Sequence, residues 1–216
     1  MRTLFEKDLR LILSRKSTML IFILIGILFT WSFSSSFSGA YLTMLGTMLA
    51  LSTISFDDSD NCMAFLFTLP CTRKQYVLEK YLFVYGTSLF AGLVGMVIII
   101  LSSIIKGDVV NGTILIEIIA SEIPILVMTG GLMIPLQLKY GPEKSRIVLM
   151  SILGVVIMAG VLIGKSTYAS TILEQINQLM DGITPFYLLV ALIAVLVIIT
   201  ILSILVTSKI MNDKEF

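Results

Sequence analysis

Long apolar runs separated by short polar intervals make up most of this chain. A run of about 20 apolar residues is long enough to cross the hydrocarbon core of a bilayer as a helix. The pattern predicts six such spans: Thr18–Phe33, Gly39–Phe56, Tyr81–Ile105, Thr113–Leu138, Ile147–Gly164 and Phe186–Thr207. We therefore expect an all-α, polytopic membrane protein whose residues 1–216 form a single transmembrane domain.

The composition favours the same fold class. The chain is 57% hydrophobic and 13% charged, whereas about a quarter of the residues of a soluble domain are charged. The net charge is +1 and the basic residues occur in small groups, which does not favour a nucleic-acid partner. The absence of His argues against His-dependent hydrolases and His-ligated zinc sites, and we predict no metal site and no cofactor on this chain.

The distribution of Lys and Arg predicts the orientation, because basic residues concentrate on the cytoplasmic side of membrane proteins. With the N-terminus inside, thirteen of the fifteen basic residues fall in inner segments. Only Lys106 and Lys165 fall outside. We therefore expect both termini in the cytoplasm.

Two segments outside the spans have the pattern of amphipathic helices. Residues 1–17 are predicted to form an interfacial helix with an apolar face of Phe5, Leu9, Ile12 and Leu13; the alternative is a cytosolic extension of the first span. Residues 166–185 are predicted to form an outer re-entrant or amphipathic helix, with Thr171 and Glu174 in a capping-box pattern. A cleaved signal peptide is a further interpretation of the first span, but a second span follows almost at once, which favours a retained hairpin.

The predicted fourth span contains unusual residues. Gly130 and Gly131 lie between two prolines, so we expect this span to be kinked or locally unwound. Glu117 and Glu122 are carboxylates within an apolar run, where a charge is costly and usually faces protein or a water-filled path. They either line a path for a cationic substrate, or Glu117 reaches outward and Glu122 bonds to a neighbouring helix.

The longest polar-rich interval, residues 57–80, is predicted to be a helix, an elbow and a second helix. The three aspartates at its start suit a helix N-terminus, Pro70 ends the short helix over 61–68, and Thr72 with Gln75 forms a capping box for the next helix. The apolar middle of the interval, "MAFLFTL", has two interpretations. It folds back onto the bundle or the lipid interface, or it fills a groove in another protein.

This interval resembles a segment of the small, six-span bacterial ABC-2-type exporter permeases. The matching residues are Thr68-Leu69-Pro70, Thr72-Arg73, Val77, Lys80 and Tyr81, and the opening "KDLRLILSRK" is similar to the start of that family. The resemblance implies an exporter subunit in the bacterial cell membrane that pairs with a second copy or a paralogue. Close relatives export amphipathic peptides such as phenol-soluble modulins or confer bacteriocin resistance, so it also implies an amphipathic peptide substrate, with roles in toxin export and antimicrobial resistance.

The resemblance further implies that residues 57–80 act as a coupling helix for a cytosolic ABC ATPase. The expected partner-contact residues are Asp57, Asp58, Asp60, Met63, Phe65, Leu66, Phe67, Leu69, Pro70, Arg73 and Lys74. ATP and Mg²⁺ are expected on the ATPase, because the one P-loop-like sequence here, 159–166, has Ala in place of the first Gly and ends a span.

Two other classes of function remain as alternatives. One is a non-transporting scaffold that recruits a different cytosolic partner through residues 57–80. The other is a membrane-embedded enzyme acting through Glu117 or Glu122, which the lack of His and of a nucleophile–base pair argues against.

Overall fold

The chain is described by a computed structural model at residues 2–32, 35–58, 63, 66, 71–106, 112–164 and 185–213. Within these ranges the protein is helical and contains no strand, which confirms the all-helical prediction. The elements are α1 (Arg2–Leu13), α2 (Lys16–Ser32), α3 (Ser35–Asp58), α4 (Arg73–Lys106), α5 (Gly112–Leu126), a π-helical segment (Val127–Met133), α6 (Ile134–Gly164) and α7 (Pro185–Asp213). The predicted outer helix over 166–185 lies almost wholly outside the described residues.

The described helices confirm a multi-pass membrane protein. Four are long and apolar enough to span a bilayer: Phe37–Asp58, Arg73–Lys106, Leu115–Val161 and Phe186–Asp213. A fifth candidate arises if α1 and α2, which meet at 68°, are counted together as one broken span. The run Leu115–Val161 covers the fourth and fifth predicted spans, so the count of six stays a prediction.

Helix α3 is the centre of the bundle. Half of its most apolar stretch is buried inside the protein, against 6% for the corresponding stretches of the 115–161 run and of α7. It approaches α4 closely at Gly46, where an added Cβ would overlap the Cβ of Ala91. Small residues at such contacts let two backbones pack together in a membrane.

Hydrogen bonds join α4 to a neighbouring helix at each end of the bundle. At the end where α1 lies, which we call the α1 end, Arg73 of α4 donates hydrogen bonds to the carbonyls of Met211 and Asn212 at 2.9 and 2.7 Å. Arg73 thus occupies the C-terminal end of α7, where helix carbonyls lack intrahelical partners. At the opposite end, Lys106 donates to the carbonyl of Thr30 at 3.1 Å and ties the end of α4 to that of α2.

Two irregularities interrupt the 115–161 run. The π-helical segment contains Gly130 and Gly131, which confirms the predicted local unwinding. Its carbonyls find a partner in α7, because Ser203 donates to the Gly131 oxygen at 2.8 Å. Within α6, Gly141 has φ 80° and ψ 169° and precedes Pro142. A positive φ favours glycine, and a Cβ at this position would lie 3.0 Å from Asp58 Oδ2, so the break lies at the α1 end.

Candidate functional site

Helix α1 turns one face towards the bundle and another away from it. Leu4 and Ile12 are buried, and Asp8 lies between them on the same face with no exposed surface. Phe5, Leu9 and Leu13 are exposed. The predicted apolar face therefore needs one correction: Ile12 belongs to the buried face, since positions 4, 8 and 12 share a side of the helix.

A fully buried lysine joins α1 to α3 and α4. Lys80 Nζ forms ion pairs with Asp8 and with Asp57, the latter at 2.7 Å, and also donates to Thr53 Oγ1 at 3.3 Å. Lys7 Nζ lies 2.5 Å from the other oxygen of Asp57 and 3.2 Å from Asp8. We call Lys7, Asp8, Asp57 and Lys80 the charge cluster. Its two positive and two negative charges sum to zero.

The aromatic ring of Tyr76 completes the surroundings of the cluster. Its hydroxyl donates to Asp57 Oδ2 at 3.1 Å, and its ring lies 5.3 Å from Lys80 Nζ. Burial and the negative charge of Asp57 raise the pKa of Tyr76 well above its ordinary value, so the hydroxyl stays protonated as a donor. Buried ions are tolerated when paired and hydrogen-bonded in this way.

A fifth charged residue, Glu79, lies next to the charge cluster without belonging to it. It is 2% exposed, and among the described residues neither of its carboxylate oxygens has a hydrogen-bond partner. It precedes Tyr81, where the predicted membrane span begins. Burial raises the pKa of this carboxyl to about 7, with Lys80 opposing the shift and Asp8 adding to it.

The described part of the interval 57–80 packs on its own chain. Met63 and Leu66 are 4% and 6% exposed and belong to the core formed with Leu4, Ile12, Tyr76 and Met211. The Cys71 thiol donates to the Leu66 carbonyl at 3.1 Å. The burial of these residues agrees with the first interpretation of "MAFLFTL", in which the segment folds back onto the bundle, and not with insertion of these residues into a partner.

The predicted capping box is confirmed. The Thr72 amide donates to the Gln75 side chain at 3.1 Å, and the Gln75 amide donates to Thr72 Oγ1 at 3.2 Å. These two bonds satisfy amides that the first turn of α4 would otherwise leave open, and α4 begins at Arg73. The capping box therefore fixes the residue at which α4 begins after the predicted elbow.

The predicted partner-contact residues divide into three groups. Asp57, Met63, Leu66 and Arg73 make contacts within the chain, in the charge cluster, the core and the end of α7. Asp58 is half-buried beside Gly141, and Lys74 is exposed. The other five, Asp60, Phe65, Phe67, Leu69 and Pro70, lie outside the described residues, so the contact surface itself stays a prediction.

The two carboxylates of α5 have different surroundings. Glu117 is exposed. Glu122 is half-buried and hydrogen-bonded to Thr43 of α3. A Cβ on Gly92 of α4 would lie 2.6 Å from Glu122 Oε2, so the absence of a side chain there makes room for the carboxyl group. The bond to a neighbouring helix agrees with the second interpretation of Glu122, and neither residue touches the charge cluster.

Comparison with known protein families gives a match that covers nearly the whole chain. The model of the ABC-2 family transporter protein family matches residues 3–212. The chain belongs to this family. No curated protein and no solved structure matches it. The family supports a membrane-embedded permease of an ABC transporter, as the resemblance of the 57–80 interval implied.

Sequence reasoning missed four residues of this ABC-2 permease site. Asp57 was a predicted site residue. Glu79 and Lys80 lie in the predicted 57–80 interval but were not among the predicted site residues. Lys7 and Asp8 lie outside that interval and were not predicted. One signal was present in the sequence. Asp8 falls between Leu4 and Ile12 at helical spacing, and a lone acid on an apolar face needs a buried partner.

Proposed function

We propose that this ABC-2 permease is the membrane subunit of an exporter driven by a separate cytosolic ABC ATPase. The α1 end faces the cytosol, in keeping with the concentration of Lys and Arg there. The ATPase docks on the interval 57–80, and ATP-driven closure of the ATPase pair moves that interval. Family membership supports the transport role.

The observation that carries the proposal is the way the interval is fixed to the bundle. Asp57 at its start and Lys80 at its end form one ion pair at 2.7 Å, and both reach α1 through Asp8 and Lys7. Arg73 connects the same interval to α7. A force applied to the interval is therefore transmitted to α1, α3, α4 and α7 together.

Candidate contacts follow from this arrangement. Met63 and Leu66 of the interval are buried in the core of the bundle. We therefore assign the other large apolar residues of "MAFLFTL", Phe65, Phe67 and Leu69, to the groove of the ATPase. Each such side chain is worth about 1.5–3 kcal/mol when fully buried. The charges of Asp58, Asp60 and Lys74 and the elbow at Pro70 border this contact.

We propose six passes through the membrane. A helix rises 1.5 Å per residue, so the 47 residues of Leu115–Val161 extend over about 70 Å, roughly twice the 30 Å hydrocarbon core. A break at Gly141, close to Asp58 at the α1 end, gives this run two passes. The exposed apolar surfaces of the second half of α6 and of α7 suit lipid and a second permease copy or paralogue.

The substrate class we propose is an amphipathic peptide or a similar hydrophobic molecule. Glu122 lies among α3, α4 and α5, with Thr43 as its partner, so it is the better of the two candidates for a carboxylate reached from a path between helices. Glu117, which is exposed, would contact the substrate at the outer entrance.

The test is co-purification with a candidate ABC ATPase from the same organism. We expect the wild-type permease to retain the ATPase, and the double variant Phe65→Asp, Phe67→Asp to lose at least tenfold in affinity, because two apolar anchors are removed. Tyr187→Asp, an exposed aromatic residue at the opposite end of the bundle, is the matched control and should bind normally.

Two results would reject the proposal. If the wild type does not retain the ATPase, or if the double variant binds as tightly as the control, the interval is not the docking site, and a scaffold for another partner becomes the better explanation. Substrate class is tested separately, by the stimulation of ATP hydrolysis by amphipathic peptides in reconstituted membranes and by its loss in Glu122→Gln.

A further inference from the structure

The carboxyl group of Glu79 lies next to the charge cluster and has no role in the proposed function. It is 2% exposed and has no hydrogen-bond partner among the described residues. An ionised carboxylate in such a position loses its hydration without compensation, which disfavours the charged form. A protonated carboxyl avoids this cost.

The charges that face Glu79 are already matched to one another. From α1 these are Lys7 and Asp8, from α3 Asp57, and from its own helix Lys80. Both lysines are within 3.2 Å of the two aspartates, so neither is left over as a counterion. An ionised Glu79 would add one uncompensated negative charge beside two aspartates.

We propose that Glu79 is a buried proton-binding site: in this conformation its carboxyl holds a proton, which keeps α1 docked on α3 and α4. When the O–H bond breaks, the proton passes to water and a carboxylate remains, which repels Asp8 and Asp57 and weakens the attachment of α1. The elevated pKa of Glu79, about 7, places this exchange at the pH of a cytosol. The inference concerns the stability and docking of this chain and does not require the ATPase.

The stability of the permease should therefore depend on pH near neutrality. A pKa raised from 4.5 to about 7 means that the folded chain binds the proton more tightly than the unfolded chain, so stability is greatest at low pH and is lost as pH rises. Between pH 6 and pH 8 the folding equilibrium constant should fall about tenfold because of this one group.

The experiment compares wild type with Glu79→Gln by unfolding in mixed micelles at several pH values. Gln has the shape of the protonated carboxyl and cannot ionise, so the tenfold fall should disappear, and the variant should be more stable than wild type at pH 8. Glu143→Gln, which changes an exposed glutamate of α6, should keep the wild-type pH dependence. A Glu79→Gln variant with the wild-type pH dependence would overturn the proposal.

A second measurement uses the wild-type protein alone and remains valid if Glu79→Gln fails to fold. Amide hydrogen exchange in α1, corrected for the intrinsic effect of pH, should be faster at pH 8 than at pH 6. The exchange of the central α3 amides should change less. Equal corrected protection of α1 at both pH values would refute the proposal that the proton on Glu79 keeps α1 docked.

Discussion

Removing the ammonium group of Lys80 tests the charge cluster most directly. Lys80→Met keeps an unbranched side chain of similar length in a fully buried position while deleting the charge. It leaves Asp8 and Asp57 with side-chain exposures of 0% and 5% and only Lys7 as a counterion. The folded protein then contains one uncompensated buried negative charge.

The expected loss follows from what breaking a buried ion pair costs, about 3–5 kcal/mol. At 1.4 kcal/mol per factor of ten, the folding equilibrium should fall by roughly two to nearly four powers of ten. Adding Asp8→Asn to Lys80→Met removes the excess charge. The double variant should therefore recover a large part of the loss, because the unpaired charge, not the missing contact, dominates it.

The assay is unfolding in mixed micelles at one fixed pH, followed by helix content. Lys74→Met is the matched control, since Lys74 lies on the same helix and is exposed, and it should change stability by less than about 0.5 kcal/mol. A loss of under about 1 kcal/mol for Lys80→Met would refute the reasoning, and so would a double variant no more stable than the single one.

Three further predictions concern a close helix contact, a hydrogen bond between two helices and a helix cap. All three are measured by the same unfolding assay. Gly46→Ala should cost about 1–3 kcal/mol, because its Cβ would overlap that of Ala91. Gly86→Ala, which meets nothing within 4 Å, should be neutral or gain up to about 1 kcal/mol; equal losses would refute the close-packing argument. Arg73→Gln should lose about 1–2 kcal/mol by giving up its bonds to the end of α7, with faster amide exchange in the last turn of α7; unchanged exchange there would contradict the assignment. Thr72→Ala should cost about 1 kcal/mol through loss of the α4 cap, and a larger loss for Thr72→Ser than for Thr72→Ala would exclude the capping role.

The sequence predicts the helices well because apolar length and local capping are local properties. Gly39–Phe56 falls within α3 and Tyr81–Ile105 within α4, and the Thr72–Gln75 capping box marks the start of α4 to the residue. The part of α4 that precedes Tyr81 was predicted from the Thr72–Gln75 capping box and not from hydropathy. Its first turns contain charged residues, of which Glu79 and Lys80 are buried.

The site was predicted in part, and the limit is physical. A run of aspartates after an apolar stretch suits a helix start, and the family resemblance implied that Asp57 contacts the ATPase. The structure instead pairs it with Lys7, 50 positions away, and pairs Lys80 with Asp8, 72 positions away. No local pattern specifies which acid meets which base across such separations, and only the packing of α1 on α3 and α4 brings them together.

The charge cluster also bears on how a permease of this family could respond to an ATPase. A buried set of ion pairs contributes little net stability compared with apolar residues of the same size, because desolvation offsets the attraction. What the pairs provide is a defined position, since Lys80 satisfies both aspartates only when α1, α3 and α4 are all in place. Small displacements of the 57–80 interval, which begins and ends in this cluster, would therefore be opposed steeply until the pairs separate. Such an arrangement favours two distinct positions of α1 over a continuous range, and a discrete change of that kind is what coupling to a hydrolysis cycle requires.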